Sequence, residues 1–170
     1  MLKKITIACM LIIPMSLFAQ TPKFGHVASQ EIVVLMPEYT KAMADIQAFQ
    51  QELTTELQRS AEEINKKVEE YQKAMAEGTL PEAIQERRMK EIQDLSDKTE
   101  QFQSEAYERD QQKQQELLIP IMQKVENAIK AVGQEEGFIY IFDISRSYIP
   151  FINESLSIDV TNKVKAKVGL

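Results

Sequence analysis

Residues capable of acid–base or metal chemistry are few and scattered in this sequence. His26 is the only histidine, and Cys9 is the only cysteine. A metal site or a Ser-His-Asp system needs several such groups held together, so we interpret His26 as a structural residue on a strand. Paired carboxylates such as Glu62-Glu63 fall on the polar side of a predicted helix and are interpreted as a solvated face. The sequence predicts no catalytic site, no metal site and no bound cofactor.

Residues 1–20 have the features of a secretory signal peptide. Lys3 and Lys4 precede an apolar run from Ile5 to Phe18, and a small residue follows. The run is short for a membrane span, so we predict cleavage near Ala19–Gln20, with a retained membrane anchor as the alternative. Cleavage would also remove the only thiol, which leaves no cysteine for a disulfide.

The composition restricts the possible partners and folds. The chain has 26 acidic residues against 20 basic ones, a formal net charge of −6. An acidic chain is a poor match for the phosphate backbone, which argues against nucleic acid as a partner. The middle of the chain is charged, rich in glutamine and almost free of glycine and proline. This composition is typical of long helices or a coiled coil.

The heptapeptide AEGTLPE interrupts this helix-forming region near its midpoint. Gly78 suits the left-handed position after a helix C-terminus, and Pro81 suits the first turn of the next helix. Thr79 and Glu82 have the spacing of a capping box. A turn as short as residues 77–81 predicts two antiparallel neighbouring helices.

The two helices have predictable limits and one predictable irregularity. The first should run from Glu38 to Glu77, with one apolar stripe that requires a partner helix. The second should run from Pro81 to Val132. Pro120 is expected to kink or divide it, because proline removes an internal hydrogen bond.

Both ends of the chain have strand-like segments. The first begins at Lys23 with KFGHVAS. The second, FIYIFDI (Phe138–Ile144), is apolar on both faces and is predicted to be a buried central strand. Residues Ser147–Ile152 are predicted to form another strand. A short helix should follow, with Ser157 as its N-cap.

These elements predict an α+β fold. The N- and C-terminal strands form a small β-body at residues 21–37 and 119–170, and a coiled-coil hairpin at residues 38–118 projects from it as a tentacle. So few strands leave open edges, which favours a symmetric oligomer that pools the strands of several chains. The candidate residues of the oligomer core are Val27, Ile139, Ile141 and Phe151.

A basic cluster, Arg87-Arg88-Met89-Lys90, lies close to the predicted turn. One interpretation is contact with acidic groups on a client or a lipid. The favoured interpretation is helix pairing with acidic residues at helical spacing. Those residues are Glu82, Glu86, Glu91 and Asp94.

The order of these features resembles the Skp/OmpH family of periplasmic chaperones. The likeness is carried by the strand entering at GHVASQEIV, the long charged hairpin, the FIYIFDI strand and a last helix opened by Asp159-Val160-Thr161. It implies a trimer whose three helical tentacles enclose unfolded outer-membrane proteins in the periplasm, without ATP or metal. The best-known members are strongly basic, whereas Lys41 to Leu118 is acidic here, which argues against lipopolysaccharide binding.

The leading hypothesis is therefore an ATP-independent periplasmic holdase and not an enzyme. Its alternative is a structural periplasmic coiled-coil adaptor or spacer with one defined partner. Adaptable or aromatic side chains along the hairpin are the candidate client contacts. They are Met75, Leu80, Met89, Phe102 and Tyr107.

Overall fold

The structure, a computed structural model, describes residues 22–78 and 80–170. The predicted signal peptide, its cleavage site and Thr79 of the predicted capping box lie outside these ranges. The described chain divides into two compact units. We call residues Gln30–Glu126 the helical unit, and residues 22–29 with 127–169 the sheet unit.

Helices make up most of the described chain, and the strands come from its two ends, as the sequence predicted. In chain order the elements are β1 (Lys23–Val27), α1 (Ser29–Leu35), α2 (Pro37–Ala76), α3 (Glu82–Glu136), β2 (Phe138–Asp143), β3 (Ser157–Asp159) and α4 (Thr161–Val168).

The break between the long helices lies where the sequence predicted it. Gly78 has a φ of +64°, the left-handed conformation that glycine adopts without a Cβ clash. Its N–H donates to the carbonyl of Met75 at 3.1 Å, which satisfies one of the last carbonyls of α2. At the start of α3, the carbonyl of Pro81 accepts hydrogen bonds from the N–H groups of Ile84 and Gln85.

Helices α2 and α3 form an antiparallel hairpin within the helical unit. As α2 advances along the chain, its residues contact residues of α3 that lie progressively earlier in that helix. These contacts are the Glu38–Lys124 ion pair at 2.6 Å, the Arg109 guanidinium 5.5 Å from the Phe49 ring centroid, and the Lys67–Glu91 ion pair at 2.6 Å.

Pro120 does not divide α3, which continues from Glu82 to Glu136. Of the two expected outcomes, a kink or a division, the division is therefore wrong. The carbonyl that loses its N–H partner at the proline is that of Glu116, and because Glu116 is exposed, water can take the place of the missing donor. The helix thus continues with one internal hydrogen bond fewer.

The sheet has the order β2-β1-β3, and both outer strands are parallel to β1. The prediction that β2 is the buried central strand is therefore wrong, because β1 holds that place. Tyr140 and Phe142 of β2 are 60% and 50% exposed. An apolar run on both faces does not distinguish a central strand from an edge strand with one open face.

The predicted strand at Ser147–Ile152 is also wrong, since this segment is a loop. The third strand is Ser157–Asp159, so Ser157 belongs to β3 and does not cap the last helix. The N–H of Val160 continues the pairing by donating to the carbonyl of His26 at 2.9 Å. Helix α4 accordingly begins later than predicted, at Thr161.

Candidate functional site

Burial within the helical unit is uneven along the hairpin. Buried side chains of α2 and α3 lie towards the end away from the turn, and they are Ala42, Ile46, Leu53, Ala106, Ile121 and Val125. Among the described residues of 54–78 and 80–105, no side chain is buried. We call these two ranges the turn half of the hairpin. Apolar side chains there are open to water, and thus to other molecules.

The candidate client contacts do not form one patch. Met75 and Met89 are 41% and 59% exposed and lie on the turn half, near the half-buried Leu80. Phe102 is also half-buried and lies at the end of the turn half that is further from the turn. Tyr107 is 68% exposed, but it follows Met89 by eighteen residues, or about 27 Å along the helix. Met75, Leu80 and Met89 are thus the three candidates nearest the turn along the chain.

Charged side chains on the turn half pair across the two helices. Lys67 Nζ donates to Glu91 Oε1 at 2.6 Å. This hydrogen bond lowers the pKa of Glu91 and raises the pKa of Lys67. The positive charges of Arg87 and Arg88 lower the pKa of Glu91 further. Glu91 was expected to pair within its own helix, and sequence spacing gave no signal for its partner on α2.

The sheet unit has an open aromatic face. Phe24 and Tyr140 stack with ring centroids 6.3 Å apart, and Tyr140 lies 5.9 Å from Phe142. The strand register places Phe24 opposite Tyr140 and His26 opposite Phe142, so all four project from one face. A cavity of about 280 Å³ opens there. Its lining combines strand and loop residues, namely Phe24, His26, Phe142, Ile149, Phe151, Ile152, Asn153, Leu156 and Ser157.

The four candidates for the oligomer core have different positions. Val27 is 0% exposed, so its side chain is already covered within its own chain. Ile141 is half-buried near Gly133, where an added Cβ would lie 3.3 Å from its Cδ1 atom. Ile139 and Phe151 are 53% and 77% exposed and are available to another chain. The aromatic face was not among the predicted sites, although Tyr140 and Phe142 alternate with other residues along the strand FIYIFD and so share one face of it.

Polar groups connect β1, β3 and the start of α4. His26 Nδ1 lies 2.8 Å from Ser157 Oγ, consistent with the structural role expected for the histidine. The N–H of Ala28 donates to Thr161 Oγ1 at 3.0 Å. Asp159 Oδ1 accepts a hydrogen bond from the N–H of Thr161 at 2.8 Å. We interpret these hydrogen bonds as structural, because they hold the start of α4 against β1 and β3.

The carboxylate of Asp159 predicts a dependence of stability on pH. Hydrogen bonding from Thr161 lowers the pKa of Asp159, and the nearby His26 and Lys165 lower it further. A pKa that is lower in the folded chain than in the unfolded one stabilises the fold above the unfolded value of about 4. That contribution is lost as the pH falls through the folded value. The unfolding midpoints of wild type and Asp159→Asn should therefore differ at pH 7, and the difference should shrink progressively as the pH falls below about 4, whereas an unchanged difference would contradict the assignment.

The described residues show neither a metal-binding cluster nor a membrane-spanning helix. Within 22–78 and 80–170, no group of three or more His, Cys, Asp or Glu side chains could hold a metal ion. The same ranges contain no helix that combines the length and apolarity needed to cross a membrane.

Comparison with known proteins agrees with this architecture. A crystal structure of a candidate outer membrane chaperone (OmpH-like) from Caulobacter crescentus CB15 superposes with a TM-score of 0.71. The two sequences are 15% identical, and the match covers 86% of this chain and 83% of that one, which shows a shared fold. Comparison with curated proteins gives no match. The family Outer membrane protein (OmpH-like) matches residues 23–168. Since this match covers almost all of the described chain, the protein belongs to the OmpH-like family.

Proposed function

We propose that this protein is an ATP-independent holdase that binds unfolded outer-membrane proteins in the periplasm. The observation that carries the proposal is the turn half of the hairpin, where no described side chain is buried and Met75 and Met89 are exposed. Methionine is flexible and polarisable, so it adapts to apolar partners of many shapes. Membership of the OmpH-like family and the fold shared with the Caulobacter protein support the same function.

The physical problem posed by such clients explains this kind of surface. An unfolded β-barrel protein exposes apolar side chains and unpaired strand edges, both of which promote aggregation. Contacts with a holdase must be individually weak so that the client is released without ATP. Several hairpins that bind one client together would raise the affinity through many small contacts.

The open aromatic face supports assembly into an oligomer, which we propose is a trimer. Phe142 is 50% exposed, Phe151 is 77% exposed and Leu156 is 74% exposed around the same cavity. Exposed apolar surface of this kind marks an interaction site in a soluble protein. In the described chain β2 is also an edge strand, and no other strand pairs with its outer edge. A strand of a sister chain could pair with that edge, which is a further reason to expect an oligomer.

Refolding of an outer-membrane barrel protein from denaturant tests the holdase function. We expect the assembled protein at equimolar concentration to suppress the light scattering of the aggregating client. The double variant Met75→Glu/Met89→Glu should suppress it less, because charged side chains bind apolar segments poorly. Val34→Glu is the matched control, since Val34 is 47% exposed on α1, outside the turn half. Scattering that is unchanged by the wild-type protein would contradict the proposal.

Affinity purification from cells separates the holdase from the adaptor or spacer. A holdase should return many outer-membrane proteins in substoichiometric amounts. A single partner at fixed stoichiometry would contradict the holdase and support the adaptor.

Assembly through the aromatic face makes a separate prediction. Phe142→Asp should reduce the native mass from several chains to one, because it places a charge in a surface that assembly would remove from water. The helical circular dichroism signal should be unchanged, since half of the Phe142 side chain is exposed in the single chain. The measurement is sedimentation equilibrium, with Val34→Asp as control. A variant that keeps the wild-type mass would show that this face is not the interface.

A further inference from the structure

The methionines of the described chain differ strongly in exposure. Met36 is 1% exposed, whereas Met75 and Met89 are 41% and 59% exposed. Met75 and Met89 both lie on the turn half of the hairpin, where the described helices bury no side chain. Their thioether sulfurs are therefore accessible to small oxidants in solution.

The sequence contains no competing thiol in the described part of the chain. Its single cysteine is Cys9, within the predicted signal peptide. Thiolates are normally the first protein sulfur groups to react with two-electron oxidants. In residues 22–170 the thioethers of exposed methionines are the sulfur atoms that such oxidants meet first.

We propose that Met75 and Met89 form an oxidation-sensitive modification site that lowers the affinity of the hairpin for its client. This inference rests on the proposed holdase function. The oxidant is hydrogen peroxide. The sulfur lone pair attacks one peroxide oxygen, the S–O bond forms as the O–O bond breaks, and the other oxygen leaves as water after proton transfer. Methionine is oxidised by two electrons to the sulfoxide, and the peroxide is reduced.

The chemical change reduces the property on which client binding depends. A sulfoxide is polar and accepts hydrogen bonds from water, so the side chain no longer gains by contact with an apolar segment. Neither side chain contributes to a buried core, so oxidation leaves the helical hairpin folded. The modification is also reversible, because methionine sulfoxide reductases restore the thioether.

Peptide mapping of the full chain tests whether the site reacts. After a brief exposure to hydrogen peroxide, mass spectrometry should find sulfoxide at Met75 and Met89. Because Met36 is buried and the other two are exposed, Met75 and Met89 should be oxidised roughly tenfold faster than Met36 or more. Equal rates at Met36 and at the two exposed positions would overturn the assignment.

The functional consequence is tested by client aggregation with three oxidised proteins. Oxidised wild type should suppress scattering less than untreated wild type, whereas Met75→Leu/Met89→Leu should suppress it equally before and after oxidation, because leucine is apolar and has no oxidisable sulfur. Met43→Leu is the matched control, because Met43 is 42% exposed but lies outside the turn half, and this variant should behave like wild type. An equal loss in the oxidised double variant would overturn the inference. A lack of suppression by untreated wild type would instead contradict the holdase function, and the peptide map would still test the reactivity of the site.

Discussion

Substitution of Gly25 by valine is expected to disrupt the sheet unit. Gly25 lies in the central strand β1, and an added Cβ would approach Phe138 Cε1 to 3.0 Å and the carbonyl oxygen of Ile158 to 3.1 Å. The carbonyl oxygen belongs to the backbone of β3 and can move only with its strand, and the Phe138 ring of β2 would have to rotate away. Overpacking at such a position costs about 1–3 kcal/mol and occasionally more. The midpoint of thermal unfolding, followed by circular dichroism, should fall sharply.

Gly133 provides the matched control for this experiment. A Cβ at Gly133 would lie 3.3 Å from Cδ1 of Ile141, which is the flexible end of a side chain. Alanine is also favoured over glycine inside a helix by about 1 kcal/mol. Gly133→Ala should therefore be neutral or slightly stabilising. Equal losses of stability in Gly25→Val and Gly133→Ala would show that close packing in β1 is not the cause.

Removal of the Asp143 carboxylate should have the second-largest effect. Asp143 ends β2 and accepts hydrogen bonds from the N–H of Ser29 at 3.3 Å, from the hydroxyl of Ser29 and from the N–H of Ser145 at 3.0 Å. Ser29 is 4% exposed, so Asp143→Ala leaves its N–H and hydroxyl without these partners and largely without water. An unsatisfied buried polar group costs about 1–3 kcal/mol. Chemical denaturation should show a loss of this size.

Asp143→Asn keeps the size of the side chain and one acceptor oxygen but removes the negative charge. The amide oxygen of asparagine has two lone pairs and can still accept from the N–H groups of Ser29 and Ser145, so this variant should lose less stability than Asp143→Ala. Hydrogen exchange at the amide of Ser29 reports on the same contact and should be fastest in the alanine variant. If both variants unfold at the wild-type denaturant concentration, the carboxylate does not stabilise this end of the sheet.

Local signals in the sequence were sufficient to predict the hairpin. Gly78 and Pro81 act through their own backbone geometry, so the helix break could be identified without knowledge of the rest of the fold. The apolar stripe that begins at Ala42 likewise predicts a partner helix, although only its part up to Leu53 is buried. Burial depends on the opposing residues, which a stripe on one helix does not specify.

Strand order and the third strand could not be predicted for a different reason. Strand β3 has only three residues, too few for a recognisable alternation, and it exists because its backbone pairs with β1. The more apolar segment at Ser147–Ile152 gave a stronger strand signal and misled the assignment. Partners distant in sequence, such as Lys67 and Glu91 or Ser29 and Asp143, are likewise fixed only when the elements come together.

The proposal that an oligomer of this protein binds one unfolded barrel protein is tested most directly by the native mass of the complex, since that mass depends on both assembly and client binding. The protein, mixed with client diluted from denaturant, would be weighed intact by native mass spectrometry. We expect three chains around a single client. A client bound to one chain, or no complex under conditions where the client aggregates, would contradict it.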